Sequence, residues 1–258
     1  MHISDKSINA GHFAKKQILC KDRLISWSHR SRFHLGLLLA QQFAGKRLLD
    51  YGCGDGTFLA MLMNTQAPPA IAVGAELLSE VVEDCRGRLG QFGLDFVVNE
   101  ELDTAEHQGV YDAVICMEVL EHVLEVRPLL DQFARLLSPA GTLIISVPVE
   151  TGLPLLVKQA VRRVAGWRGI GDYPGTSSYT IAEFATGVLA TGRRQHIVRP
   201  IHKNADGSAS HDHKGFNWMV LREMLSRSFE IERVVGSPLG WLTPHLASQV
   251  WFLVRKKA

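Results

Sequence analysis

Leu48-Leu49-Asp50-Tyr51-Gly52-Cys53-Gly54-Asp55-Gly56 sets three glycines directly behind a short apolar run. Residues 47 to 51 suit a buried parallel strand, and helix signals resume from Thr57 to Met63. Glycine between a strand and a helix permits a tight turn and lets the backbone approach a ligand without Cβ interference. Glu76 ends the next predicted strand, 20 residues beyond Gly56. An acceptor at that strand end can grip both hydroxyls of an adenosine ribose.

The same alternation extends outward. Strands are predicted at 70–75, 94–98, 111–116 and 142–147, with helices at 77–89 and 119–137. Ser138-Pro139-Ala140-Gly141 reads as a turn. Upstream, residues 12 to 43 read as helical, broken by Gly45. Past Pro148 the rhythm fails until a helix at 217–227 and strands near 229–235 and 248–254. Strands alternating with helices of this length imply an α/β fold, a parallel sheet covered on both faces.

Composition is that of a globular chain with a core: 258 residues, 46% hydrophobic, 21% charged. A net charge of +2 gives no general pull toward nucleic acid. Cys20, Cys53, Cys85 and Cys116 never fall in a CxxC pair, which argues against a disulfide framework or a cysteine zinc site. Met1-His2-Ile3-Ser4-Asp5-Lys6 lacks the order of a secretory signal, and no stretch nears the ~18 apolar residues of a spanning helix. The expected location is cytoplasmic.

A dinucleotide fingerprint requires GxGxxG, and here the third glycine position falls on Thr57 or Leu59. Asp50 and Asp55 bracket the loop, which disfavours a pyrophosphate but suits a cationic sulfonium. The Asp50 to Gly56 loop resembles the first motif of class I S-adenosylmethionine-dependent methyltransferases. Val73-Gly74-Ala75-Glu76 resembles their second, and the segments Tyr111 to Val123 and Leu137 to Pro148 resemble their fourth- and fifth-strand motifs. The resemblance covers about residues 40 to 150. It implies a Rossmann-like, doubly wound, seven-stranded and mostly parallel sheet ending in an antiparallel hairpin, with residues 229 to 254 as that ending. It also implies S-adenosylmethionine as cofactor. Asp50 and Gly52 would then face the methionine end and Glu76 the ribose, with Gly54 also in the cofactor-binding loop. Glu100, within Asn99 to Leu102, would lie beside the adenine, and Cys116, Met117 and Glu118 would line the floor. Where the family often has Gly-Asp, this chain has Asn99-Glu100-Glu101.

Methyl transfer from a sulfonium is an in-line displacement, in which the protein aligns the acceptor and, for an oxygen, removes its proton. Glu118, Glu121 and His122, spaced i, i+3 and i+4, would share one face if the segment is helical. They either anchor the helix or, joined by His213, hold a divalent metal. Ser210-His211-Asp212-His213-Lys214-Gly215-Phe216 resembles the His-Asp segment of ubiquinone-pathway O-methyltransferases. It also resembles, with Gly215 interrupting the spacing, that of RNA 3′-terminal 2′-O-methyltransferases. His211 or His213 is alternatively a metal-free base, or a loop histidine satisfied by backbone.

The expected organisation is an N-terminal helical segment at 1–45, either a lid or a solvated helix face, and a cofactor-binding core at 46–148. An insertion or cap at 149–215 would recognise substrate, and 216–258 would complete the sheet. In the insertion, Lys158, Arg162, Arg163 and Arg168 line a predicted amphipathic helix. The expected reading is a solvated basic face, with an anionic substrate or peripheral membrane contact as the alternatives. The leading reading is O-methylation of a small-molecule, glycan or quinone-like acceptor. RNA 3′-end 2′-O-methylation and a non-catalytic cofactor-binding subunit are the alternatives.

Overall fold

The computed structural model describes residues 7–8, 10–12, 14–19, 23–167, 177–190, 192–204, 207–241 and 243–257. Its strands, in chain order, are β1 (Arg47–Tyr51), β2 (Ile71–Glu76), β3 (Asp95–Val98), β4 (Tyr111–Met117), β5 (Leu137–Pro148), β6 (Ile201–Lys203), β7 (Ala209–His211), β8 (Phe229–Ser237) and β9 (Gln249–Lys256). Its α-helices are α1 (Arg23–Ala40), α2 (Thr57–Met63), α3 (Ser79–Leu89), α4 (Val126–Leu136), α5 (Gly152–Trp167), α6 (Ile181–Leu189) and α7 (Trp218–Ser228).

Seven strands form one mostly parallel sheet in the order β3-β2-β1-β4-β5-β9-β8, and β8 with β9 makes the terminal antiparallel hairpin. The order reverses between β1 and β4, the switch point outside whose carboxyl ends such sheets bind ligands. β6 and β7 form a separate two-stranded ladder pairing Ile201 with His211. The chain divides into two compact units. One contains residues 1–117, 131–145 and 253–258, and the other 118–130 and 146–252.

In the first unit the central strands are buried on both faces and read as near-continuous apolar runs, as a covered parallel sheet requires. Leu48, Leu49, Val73, Val114 and Ile115 are buried, as are Phe58, Leu59 and Leu62 of α2 and Val82, Cys85 and Leu89 of α3. Gly74, in mid-strand, leaves room for the Phe96 ring. A Cβ there would stand 2.6 Å from that ring and 2.9 Å from Cys53 Sγ. Gly74→Ala is therefore expected to cost about 1–3 kcal/mol by overpacking. The check is a lower urea midpoint with an unchanged slope. In the second unit, Trp218, Leu221 and Leu225 of α7 are buried with Phe229, Val250, Trp251 and Phe252.

Three sequence expectations need correction. Residues 118–125 are not helical, because α4 begins only at Val126. A helix from 119 would put Pro128 in its interior, losing one hydrogen bond and driving the ring into the carbonyl of Leu124. In the first turn of α4 proline is tolerated. The predicted turn at 138–141 lies within β5. There Gly141 admits the close approach of the Tyr111 carbonyl, 2.8 Å from where a Cβ would sit. The N-terminal helix divides into a π-helical turn at Ala14–Ile18, then α1, then a 3-10 turn at Gln41–Phe43. Cys20 and Arg168 lie outside the described residues.

Candidate functional site

In the first unit, register brings the predicted donor residues to one sheet edge. Asp50 pairs with Gly74, and Tyr51 lies between Ala75 and Cys116. Gly52, Gly54 and Gly56 all have positive φ (71°, 56° and 71°), so the turn needs glycine at each. The N–H groups of Gly52 and Cys53 donate to the Ala75 carbonyl at 2.8 and 3.1 Å, pinning the loop to β2. Glu76 is held at its strand end by Gly54 N–H on Oε1 (2.9 Å) and Leu77 N–H on Oε2 (2.7 Å). Met117, half-buried, ends β4 after the buried Cys116, and Glu100 is exposed on the 3-10 turn at Asn99–Asp103.

Asp50 differs from Glu76. Its side chain is buried and neither carboxylate oxygen has a hydrogen-bond partner among the described residues. Burial, and then the charge of Glu76, push its pKa up to about 8. Asp55 is also buried. It accepts from the N–H of Thr57 (3.0 Å) at the start of α2 and from that of Ala14 (3.4 Å), which ties the N-terminal segment to the loop. Gly11 has no space for a Cβ there, since one would lie 2.3 Å from Asp55 Oδ2.

In the second unit, one ligand atom each from Glu121, His122 and His213 lie within 4.8 Å of one another. The Glu121 carboxylate is fully buried, and His122 Nε2 stands 3.9 Å from its Oε1. The two imidazoles meet edge-on with centroids 5.0 Å apart. β7 makes this possible: His211 N–H donates to the His122 carbonyl at 2.9 Å, while His122 Nδ1 lies 2.8 Å from the His211 carbonyl. With Nδ1 so engaged, Nε2 keeps the free lone pair. His213 is neutral at physiological pH, because burial and then His122 outweigh the opposing pull of Glu150 and lower its pKa to about 4.

The other predicted residues stand apart from this group. Glu118 adopts a left-handed backbone (φ 57°), and its carboxylate accepts from Ser146 Oγ (3.1 Å) and Gln249 Nε2 (3.4 Å). His211 Nδ1 lies 2.7 Å from the Pro200 carbonyl. Lys158 and Arg162 do not form a solvated basic face. Both reach the buried Glu150, at 2.9 and 3.3 Å. Arg163 is exposed, and Leu153, Leu156, Val157 and Val161 of α5 are exposed beside it.

Glu150 and Arg199 have no counterpart in the sequence reading. Arg199 donates to the Glu121 and Asp212 carbonyls and lies over the Phe216 ring, and burial lowers its pKa to about 10. No motif marks either residue. The available signals were a lone glutamate following the fifth strand and a lone arginine before Pro200.

The methyltransferase domain profile matches residues 26–192. The chain belongs to the S-adenosylmethionine-dependent methyltransferase family. The ubiquinone biosynthesis O-methyltransferase of Psychrobacter arcticus is 32% identical over 186 residues, covering 70% of this chain and 69% of that one. The protein of that name from Xanthomonas oryzae is 39% identical over 107 residues, 40% of this chain. Across the first such relatives the match spans less than half of their length, 43% in the Xanthomonas protein. A methyltransferase structure from Clostridium acetobutylicum shares this domain's fold, with TM-score 0.59 and 11% identity over 96% of this chain and 97% of that one. Among the described residues no helix is long and apolar enough to cross a membrane.

Proposed function

We propose that this methyltransferase domain moves the methyl group of S-adenosylmethionine to an oxygen of a small-molecule acceptor, of metabolite, glycan or quinone-like chemistry. The observation that carries the oxygen acceptor is the grouping of Glu121, His122 and His213 within 4.8 Å. A nitrogen acceptor needs only to be neutral, whereas a hydroxyl must lose its proton as the C–O bond forms and the C–S bond breaks. Two imidazoles and one buried carboxylate form a donor set suited to a divalent cation of the Mn²⁺ or Zn²⁺ kind. When bound, such a cation supplies Lewis-acid stabilisation of the acceptor oxygen. With a pKa near 4, His213 is a weak proton acceptor at neutral pH, so a lone-pair role suits it better than that of general base.

On the donor side, Gly52 and Gly54 accommodate the methionine portion, Asp50 compensates its positive charge and Glu76 takes the ribose hydroxyls. Glu100 and Asn99 flank the adenine, and Cys116, Met117 and Glu118 line the floor. Residues 1–45 act as a lid over the cofactor, 46–148 bind it, 149–215 select the acceptor and 216–258 complete the sheet. The names of the relatives, ubiquinone biosynthesis O-methyltransferases, support an oxygen acceptor of the quinone-precursor kind.

The test is transfer of labelled methyl into fractionated metabolites and RNA, with and without chelator. Chelator-sensitive label in a ribonuclease-resistant small molecule is the expected result. Label confined to RNA would replace the acceptor assignment, and full turnover after chelation would remove the cation.

A further inference from the structure

Glu150 stands two residues past the end of β5 and is 1% exposed. Burying a carboxylate costs several kcal/mol unless charges and hydrogen bonds compensate it. Here the compensation is lopsided. Lys158 Nζ and Arg162 Nη2, both from α5, converge on the same oxygen, Oε1, at 2.9 and 3.3 Å. Oε2 is buried without a hydrogen-bond partner among the described residues. Facing the carboxylate is His213, whose Nδ1 lies 4.0 Å from Oε1 and is likewise buried without a hydrogen-bond partner. The ring of His122 offers a comparison: its Nδ1 faces the His211 carbonyl, leaving Nε2 for the cluster. Glu150 stands in the corresponding place for His213.

We infer that Glu150 is a positioning residue, which holds the Nδ1 edge of His213 so that Nε2 is the nitrogen presented to Glu121 and His122. Lys158, the nearer cation at 2.9 Å, keeps Glu150 charged and fixes its rotamer, while Arg162 at 3.3 Å competes with His213 for the carboxylate. Carboxylates hydrogen-bonded to the outer nitrogen of an imidazole ligand orient the ring and raise its basicity, and their loss typically weakens metal binding ~10–100-fold. The inference rests on the cation site proposed above, and Mn²⁺ alone serves as the probe. The wild-type chain is expected to bind Mn²⁺ saturably, and Glu150→Gln to bind it ~10–100-fold more weakly. S-adenosylmethionine affinity, read on the same samples, is expected to stay within about twofold. Arg162→Met frees part of Glu150 for His213 and is expected to bind Mn²⁺ at least as tightly as wild type, which keeps the test open if Glu150→Gln does not fold. Wild-type affinity retained in Glu150→Gln, or a tenfold loss in Arg162→Met, overturns the positioning role alone. Absence of saturable Mn²⁺ binding by the wild type overturns the cation site and this role together.

Discussion

Asp50→Asn is expected to weaken S-adenosylmethionine binding ~10–100-fold near pH 8, the cost of losing a charge-assisted contact. The Asp50 carboxylate is buried, its oxygens have no hydrogen-bond partner among the described residues and burial raises its pKa to about 8. In the ligand-free protein it therefore carries a proton at neutral pH. A cationic donor favours the ionised form, so binding below pH 8 must expel that proton. Wild-type affinity should rise by up to ~tenfold per pH unit from about pH 6 to about pH 8, then level off. Asp50→Asn should lose that slope. Calorimetry in buffers of different ionisation enthalpy reads the released proton directly, and an equal slope in the variant would exclude Asp50 as its source. The sign for stability is opposite. The unfolded chain ionises near the usual carboxylate value of 3.8 and the folded chain near 8. Between those values the folded state binds more protons, so stability falls as pH rises through this window. Ligand-free Asp50→Asn should therefore melt at or above the wild-type temperature at alkaline pH, even as it binds cofactor poorly.

Glu121→Gln is expected to lower turnover ~100-fold or more, since Lewis-acid stabilisation is worth several kcal/mol. Glu121 is the one anionic member of the grouped trio, and an amide donates to a divalent cation without its charge. Excess Mn²⁺ should restore part of the rate. Because Glu121 also raises the pKa of the part-buried Arg199 against desolvation, the variant should melt lower. Cofactor affinity and circular dichroism at low temperature separate that effect from lost chemistry. Turnover within about threefold of wild type would count against a chemical role for Glu121 and favour a structural one.

Much of the fold could be read from short-range pattern. The glycines at 52, 54 and 56 specify their own turn, and the alternation of apolar runs with helical periods specifies a covered parallel sheet. Pro128 was equally legible, and attention to it would have placed the start of α4 after the Glu118 to His122 segment. The β6–β7 ladder was harder to see, because three-residue strands of mixed polarity leave no periodic signal.

The sequence by itself determined the glycine turn at 52–56 and the α/β character of the sheet, because backbone freedom at glycine and side-chain period act over a few neighbouring residues. Only the tertiary structure decided which side chains share the second cluster. Glu121 and His122 meet His213 because β7 lays the His211 backbone against His122. Glu118, within three residues of Glu121, is instead turned by its left-handed backbone toward Ser146 and Gln249. Glu150 was invisible for the same reason. Its neighbours Lys158, Arg162 and His213 are brought to it by helix packing and chain path, and no local spacing encodes that convergence.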